Sequence, residues 1–171
     1  MEGVERHKVR LCSYNPNWDK EYQETKEQIQ RIWRSNLLDI QHVGSTAVPL
    51  IPAKPILDIA VRLQSIHNMD IEKLKNEGYD YCGAREGRSS YHLFVLRGEN
   101  EISLQHIHCY DSSDNEFFNL VKFRDYLNSH PDTAKEYAVL KEKLALEYPH
   151  DRISYTKGKE NFIQTIYRLF Y

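Results

Sequence analysis

Residues 42–61 read HVGSTAVPLIPAKPILDIAV, a Gly-Ser turn and a proline-rich crossing ahead of an apolar run that holds one carboxylate, Asp58. The β-branched content of PILDIAVRL marks a central strand more than a helix. Side chains alternate along a strand, so Asp58 shares a face with Ile56 and Ala60. A carboxylate among apolar neighbours is costly unless a cation, a metal ion or several hydrogen-bond donors compensate it. Asp58 is therefore a candidate ligand for metal or substrate; the alternative is a structural aspartate paired with an arginine or capping a loop.

Upstream, LLDIQHVG alternates so that Leu38, Ile40 and His42 fall on one face of a second strand. Gly44, Ser45 and Thr46 follow it as a turn that suits a phosphate, since glycine permits close backbone approach and the next two residues offer hydroxyls and N–H groups. Pro49 and Pro52 exclude regular structure from the crossing. Lys54 at its end is either a phosphate-neutralising cation or an exposed loop lysine. Before this segment, VRLCSY reads as an opening strand. Tyr22, Ile29, Ile32 and Trp33 recur at helical spacing in a helix that continues to about residue 34, with Asn17 or Asp19 as its cap.

Downstream, MDIEKLKNEG predicts a short helix ending at Gly78, and YDYCGAREGRSS a turn or loop. YHLFVLRG, which contains Arg97, and EISLQHIHCY read as antiparallel strands joined through GEN. Alternation in the second sets Leu104, His106, His108 and Tyr110 on one face. Histidines at i and i+2 on a strand can chelate a divalent ion or, protonated, hold a phosphate, and they can equally be structural. After residue 115 three amphipathic segments separated by Pro131 and Pro149 make the last third helical. Within it, Arg124, Tyr155 and Lys159 either reach a cleft or pair locally. The fold class is α+β, a mixed sheet flanked by helices with a helical C-terminal third, in a single domain over residues 1–171.

Of the 171 residues 40% are hydrophobic and 28% charged, and the formal net charge is -2. That balance suits a globular chain with a substantial core and disfavours nucleic acid or an anionic membrane as partner. No apolar run reaches the roughly 18 residues of a membrane helix, and the first residues lack an apolar signal core; the expected location is cytoplasmic. Cys12, Cys82 and Cys109 fit neither a disulfide framework nor a CxxC motif and read as buried thiols. P-loop, dinucleotide-binding and GxSxG motifs are missing.

The 42–61 stretch resembles the GrpB family, a group within the nucleotidyltransferase superfamily also found fused to dephospho-CoA kinase. YNPNWDKEYQETKEQI, YHLFVLRG, LQHIHCY, FRDYLNSHP and YTKGKENFI resemble its other blocks in the same order, so the likeness covers nearly the whole chain. The resemblance implies a nucleotidyltransferase-like mixed sheet in which Ser45 takes the phosphate-turn role and Asp58 a metal role. Active superfamily members carry an Asp-x-Asp pair for two magnesium ions and a third carboxylate on a neighbouring strand. Here Ile56 and Ala60 flank Asp58, and His106 and His108 stand where a third acid is expected.

One aspartate and two neutral imidazoles suit zinc, manganese, iron or nickel better than magnesium. The first functional expectation is transfer of a nucleotidyl or related phosphoryl group to a small acceptor. Asp58, His106 and His108 would hold a divalent metal (Mg, Mn or Zn), and Gly44, Ser45 and Thr46 the phosphates of a nucleoside triphosphate. Lys54 or Arg97 would offset developing charge. The second is a non-catalytic module binding a nucleotide or phosphorylated metabolite, and the third a hydrolase using the His/His/Asp set.

Overall fold

The computed structural model describes residues 2–85 and 87–171. Five strands form its sheet: β1 (Leu37–Val43), β2 (Leu57–Leu63), β3 (Tyr79–Arg85), β4 (Arg88–Arg97) and β5 (Ser103–Asp111), in the order β1-β2-β5-β4-β3. The β2/β5 pair is parallel and the other three are antiparallel, which makes the sheet mixed. β2 lies between two neighbours, which accounts for its unbroken apolar character: Leu57, Ile59, Val61 and Leu63 are all fully buried.

One face of the sheet is covered by α1 (Asn17–Trp33) and α2 (Ile71–Asn76). Trp18, Tyr22, Thr25, Ile29 and Trp33 form the buried stripe of α1, close to the predicted spacing. Its cap differs from expectation. Pro16 occupies the N-cap position, Asn15 Oδ1 accepts from the Asn17 N–H at 3.0 Å, and Asp19 accepts instead from the Tyr14 hydroxyl at 2.6 Å. In α2 the Asp70 side chain accepts from the Lys73 N–H, a regular N-cap.

The other face is covered by the C-terminal helices α3 (Glu116–Ser129), α4 (Pro131–Glu147), α5 (Arg152–Gly158) and α6 (Glu160–Tyr167). Val43, Ala60, Tyr91, Tyr110 and Phe117 pack together where α3 meets the sheet. Val48 and Ile51, from the proline-rich crossing, join Leu127, Ala134, Tyr137 and Ile166 in a second cluster among the helices. The crossing thus contributes to the helical layer and not to the sheet.

Several expectations are corrected. The VRLCSY segment forms no strand; an isolated bridge between Cys12 and Ala53, the Val9 N–H to the Pro149 carbonyl and packing of Val9 on Leu144 and Tyr155 hold it in place. YDYCGAREGRSS is largely sheet: apart from Glu86, which lies outside the described residues, it forms β3 and the start of β4, with irregular register near Gly83, whose φ is 73°. A register irregularity between Leu37 and Asp39 takes Leu38 off the face of Ile40 and His42, leaving it 47% exposed. Of the three thiols only Cys109 is buried, because Cys12 lies in the bridging segment and Cys82 in the irregular hairpin.

Candidate functional site

The parallel register of β2 and β5 pairs Asp58 with His106 and Ala60 with His108. All four side chains therefore leave the sheet on the same face, the one covered by α3 to α6. Asp58 Oδ1 lies 3.2 Å from His106 Nδ1 and 3.1 Å from His108 Nε2. One ligand atom from each of the three residues falls within 4.8 Å of the others. Alternation sets His106 and His108 on one face, and the adjacent placement of β2 and β5 brings them to Asp58.

Burial acts to raise the Asp58 pKa, but hydrogen bonds and charge from His106 and His108 hold it well below the usual carboxylate range. Burial lowers the His106 pKa against the opposing pull of Asp58. A neutral His108 that donates from Nε2 to Asp58 leaves Nδ1 to accept from the Tyr91 hydroxyl, 2.8 Å away. Tyr91 itself stacks on Tyr110 at 4.8 Å, so the outer partner of His108 is fixed in place.

These residues line a cavity of about 580 Å³ between sheet and helices. Gly44, Ser45 and Thr46 form part of its rim. The Gly44 φ of 70° is one that only glycine adopts freely, and Ser45–Ala47 continue as a short 3₁₀ turn. Thr46 is buried and its hydroxyl pairs with His42 Nε2 at 2.9 Å. The Ser45 carbonyl closes the turn by accepting from the Val48 N–H at 3.2 Å. Arg124 donates to Gln41 Oε1 and to the His42 carbonyl, so it ties α3 to β1 and does not line the cavity.

The cavity wall carries Lys54, Arg88, Lys141, Arg152 and Lys159, with Asp58 and Glu116 as its carboxylates. Burial pushes Lys54 down to about 7 and Lys159 down to about 8, with the other cations adding to the effect. Lys141 is 1% exposed, donates to the Pro52 carbonyl and is held well below the usual lysine range, first by burial and then by Lys159 and Lys54. Lys54 and Lys159 both approach the Tyr155 ring, at 5.4 and 4.6 Å from its centroid. Cations gathered this closely repel one another, and a bound polyanion would relieve that repulsion.

Arg97 stands apart from this group. It pairs with Asp80 at 2.8 Å and with Glu101 at 3.5 Å and is not part of the cavity lining. Lys141, Arg152 and Glu116 were not singled out in the sequence, yet Lys141 could have been. Ala134, Tyr137, Lys141 and Leu144 are the buried positions of α4, so a lysine occupies a core position of a helical stripe. Arg152 and Glu116 open α5 and α3 and carry no such mark.

The donor set fits a metal ion. Two ligands each about 2.1 Å from one ion stand roughly 3.0 Å apart on an octahedron and roughly 3.4 Å apart on a tetrahedron. The 3.1 and 3.2 Å separations of Asp58 Oδ1 from the two imidazoles lie in that range, and the three donor atoms all fall within 4.8 Å of one another. One carboxylate with two imidazoles favours a borderline ion such as zinc or manganese.

Two structures with bound nucleotides share the fold. Terminal uridylyl transferase 4 from Trypanosoma brucei, with bound dUTP, superposes with a TM-score of 0.53 at 14% identity over 90% of this chain and 53% of that one. The Cid1 poly(U) polymerase with MgGTP gives 0.52 at 16% identity, over 86% of this chain and 50% of that one. At these identities the likeness is one of nucleotidyltransferase-like fold. No helix among the described residues is long and apolar enough to cross a membrane.

The sequence relatives are nearer. YqkA of Bacillus subtilis, a UPF0157 protein, is 34% identical over 94% of this chain, which spans 46% of its length. The glutamate-rich protein GrpB of Alkalihalophilus pseudofirmus is 34% identical over 97% of this chain and 98% of its own. The crystal structure of GrpB from Enterococcus faecalis superposes with a TM-score of 0.84 at 30% identity, covering 94% of this chain and 96% of that one. With the GrpB protein family model also matching residues 8–169, sequence and fold agree that this chain belongs to the GrpB family.

Proposed function

We propose that this protein transfers a nucleotidyl or related phosphoryl group to a small acceptor with the help of a divalent metal ion. One observation carries the reading: Asp58, His106 and His108 converge on the floor of a cavity whose walls bring Lys54, Lys141, Arg152 and Lys159 together. A bound triphosphate would favour the charged forms of the lysines whose pKa burial has lowered, which a neutral ligand would not do.

Ser45, on the rim beside Asp58, offers a hydroxyl and backbone N–H groups to a phosphate, while Thr46 holds the turn in shape through His42. A metal ion held by Asp58, His106 and His108 would supply Lewis-acid polarisation of a phosphoryl oxygen. The lysines and Arg152 bind the polyphosphate, and in the transfer they offset the charge that develops on the departing phosphates. The helical layer limits water at the reacting phosphorus. The nucleotide-bound structures of the two fold relatives support this reading by analogy of fold.

A second reading is a module that binds a nucleotide or phosphorylated metabolite without turnover. It is favoured by Ile56 and Ala60, which leave Asp58 without a second carboxylate beside it on β2. A dephospho-CoA kinase of Mycolicibacterium paratuberculosis, 25% identical over 96% of this chain and 46% of its own length, is consistent with such a role in a larger protein.

The test is metal content by elemental analysis with calorimetric titration of ATP, CTP and GTP, on the wild type, Asp58→Asn and His106→Ala. Stoichiometric metal and metal-dependent nucleotide binding, lost in both variants, supports the transferase. Nucleotide binding with no product in any acceptor screen shifts the function to the binding module. Metal affinity unchanged in both variants would overturn the metal site.

A further inference from the structure

The cavity has a second end with different chemistry. The Asp58 carboxylate supports the charged forms of Lys54, Lys141, Arg152 and Lys159, which places all four at its end of the cavity. Glu116 acts instead on Tyr110 and Tyr167. Its carboxylate is held from both sides: Oε1 accepts from the Tyr167 hydroxyl at 3.2 Å and Oε2 from Asn119 Nδ2 at 3.0 Å. Each oxygen keeps a further lone-pair direction, and Glu116 lines the cavity together with the apolar Leu120 and Phe123.

A carboxylate fixed by neutral donors repels a phosphate and attracts a hydroxyl or amine. The aromatic and aliphatic surface beside it suits a flat body. Arg88 also lies near Tyr110, 3.9 Å from Asp114, so the cavity is bipolar in this sense: cations concentrate over Asp58, His106 and His108, and where α3 meets α6 one carboxylate stands beside apolar surface.

We infer that Glu116 binds the hydrogen-bond-donating end of the ligand, the ribose diol or base amine of a nucleoside, while the cationic end takes its phosphates. The inference rests on the nucleotide reading of the cavity and makes it narrower. The preferred ligand carries donors on its nucleoside, and an inorganic polyphosphate satisfies only half of the site.

The test compares affinities for tripolyphosphate and for ATP, CTP, GTP, UTP and dATP, with manganese present. The proteins are the wild type, Glu116→Gln and Glu116→Asp, the last retaining the charge on a shorter side chain in case Glu116→Gln loosens α3. Wild type is expected to bind its preferred nucleotide more tightly than tripolyphosphate. In Glu116→Gln that advantage is expected to fall about tenfold or more with tripolyphosphate affinity unchanged, and Glu116→Asp to show a smaller loss of the same kind. Loss of discrimination against dATP assigns the contact to the ribose diol. Loss of discrimination against UTP assigns it to an exocyclic amine.

If wild type binds nucleotides and tripolyphosphate equally, or if both variants keep the full nucleoside advantage or weaken both ligands alike, the role of Glu116 is overturned and the cationic end stands. If wild type binds none of these ligands, the nucleotide reading itself fails, and this inference with it.

Discussion

Gly44 lies directly against Asp58: a Cβ at position 44 would sit 2.8 Å from Asp58 Oδ2 and 3.1 Å from Asp58 Cβ. The turn and the carboxylate therefore depend on each other. Gly44→Ala adds backbone strain of about 1–3 kcal/mol, because φ 70° with ψ -170° is a region almost exclusive to glycine, and displaces Asp58 from His106 and His108. Metal affinity is expected to fall further than thermal stability does. Metal titration beside thermal unfolding checks this, and full affinity in a destabilised variant would show that the contact is merely structural.

Tyr91 governs which nitrogen of His108 is free. For Nε2 to coordinate a metal, its proton must be absent, so Nδ1 must carry one and donate it to the Tyr91 hydroxyl 2.8 Å away. Tyr91→Phe removes that acceptor but keeps the ring on Tyr110. We expect metal affinity to drop about tenfold, with the melting temperature little changed. Equal affinity in the two proteins would mean that His108 is not a ligand.

His42 gives the fold a predictable acid sensitivity. It is 7% exposed, and burial, aided by Arg124 and opposed by Asp19 and Asp58, lowers its pKa from 6.5 to about 4. Above the unfolded value both states are neutral and the stability is complete. As the pH falls from 6.5 towards 4 the unfolded chain takes up the proton first, so stability declines, by roughly 3 kcal/mol from this group at the lower end. His42→Gln keeps a polar partner for Thr46 and lacks that titration. Denaturant midpoints from pH 7 to 4.5 should therefore fall more steeply for the wild type; parallel curves would contradict the assignment.

Lys141 trades stability for charge. Its ammonium is desolvated and crowded by Lys54 and Lys159. Lys141→Met keeps the aliphatic stem and removes that cost, though the Pro52 carbonyl loses its donor. The ligand-free variant is expected to gain about 1 kcal/mol and to bind tripolyphosphate more weakly. A variant that is both less stable and unchanged in anion binding would make Lys141 a structural tether.

Much of this molecule is legible in its sequence where a period of two or 3.6 applies. Alternation placed His106 and His108 on one face, and the stripe of α1 followed from its apolar spacing. The relative order of strands is not local information, so the meeting of Asp58 with the two histidines depended on β2 and β5 being neighbours, which no spacing encodes. Glycines misled in β3, where Gly83 marks an irregularity within a hairpin and not a loop. The cationic wall was hidden for a similar reason: Lys54, Lys141, Arg152 and Lys159 come from one loop, two helices and the α5–α6 junction, and no spacing brings them together. Arg97 shows the converse, a cation near β5 in sequence whose charge is already taken by Asp80.

The sheet supplies Asp58, His106 and His108, while α4, α5 and α6 or their junction supply Lys141, Arg152, Tyr155 and Lys159. Floor and roof are therefore separable in heredity as well as in space. Replacements among the late helices can alter the charge of the roof while the buried register of β2 against β5 keeps Asp58, His106 and His108 unmoved. Variation among relatives should accordingly accumulate in the roof, and rearrangement of the trio should require changes on two adjacent strands at once.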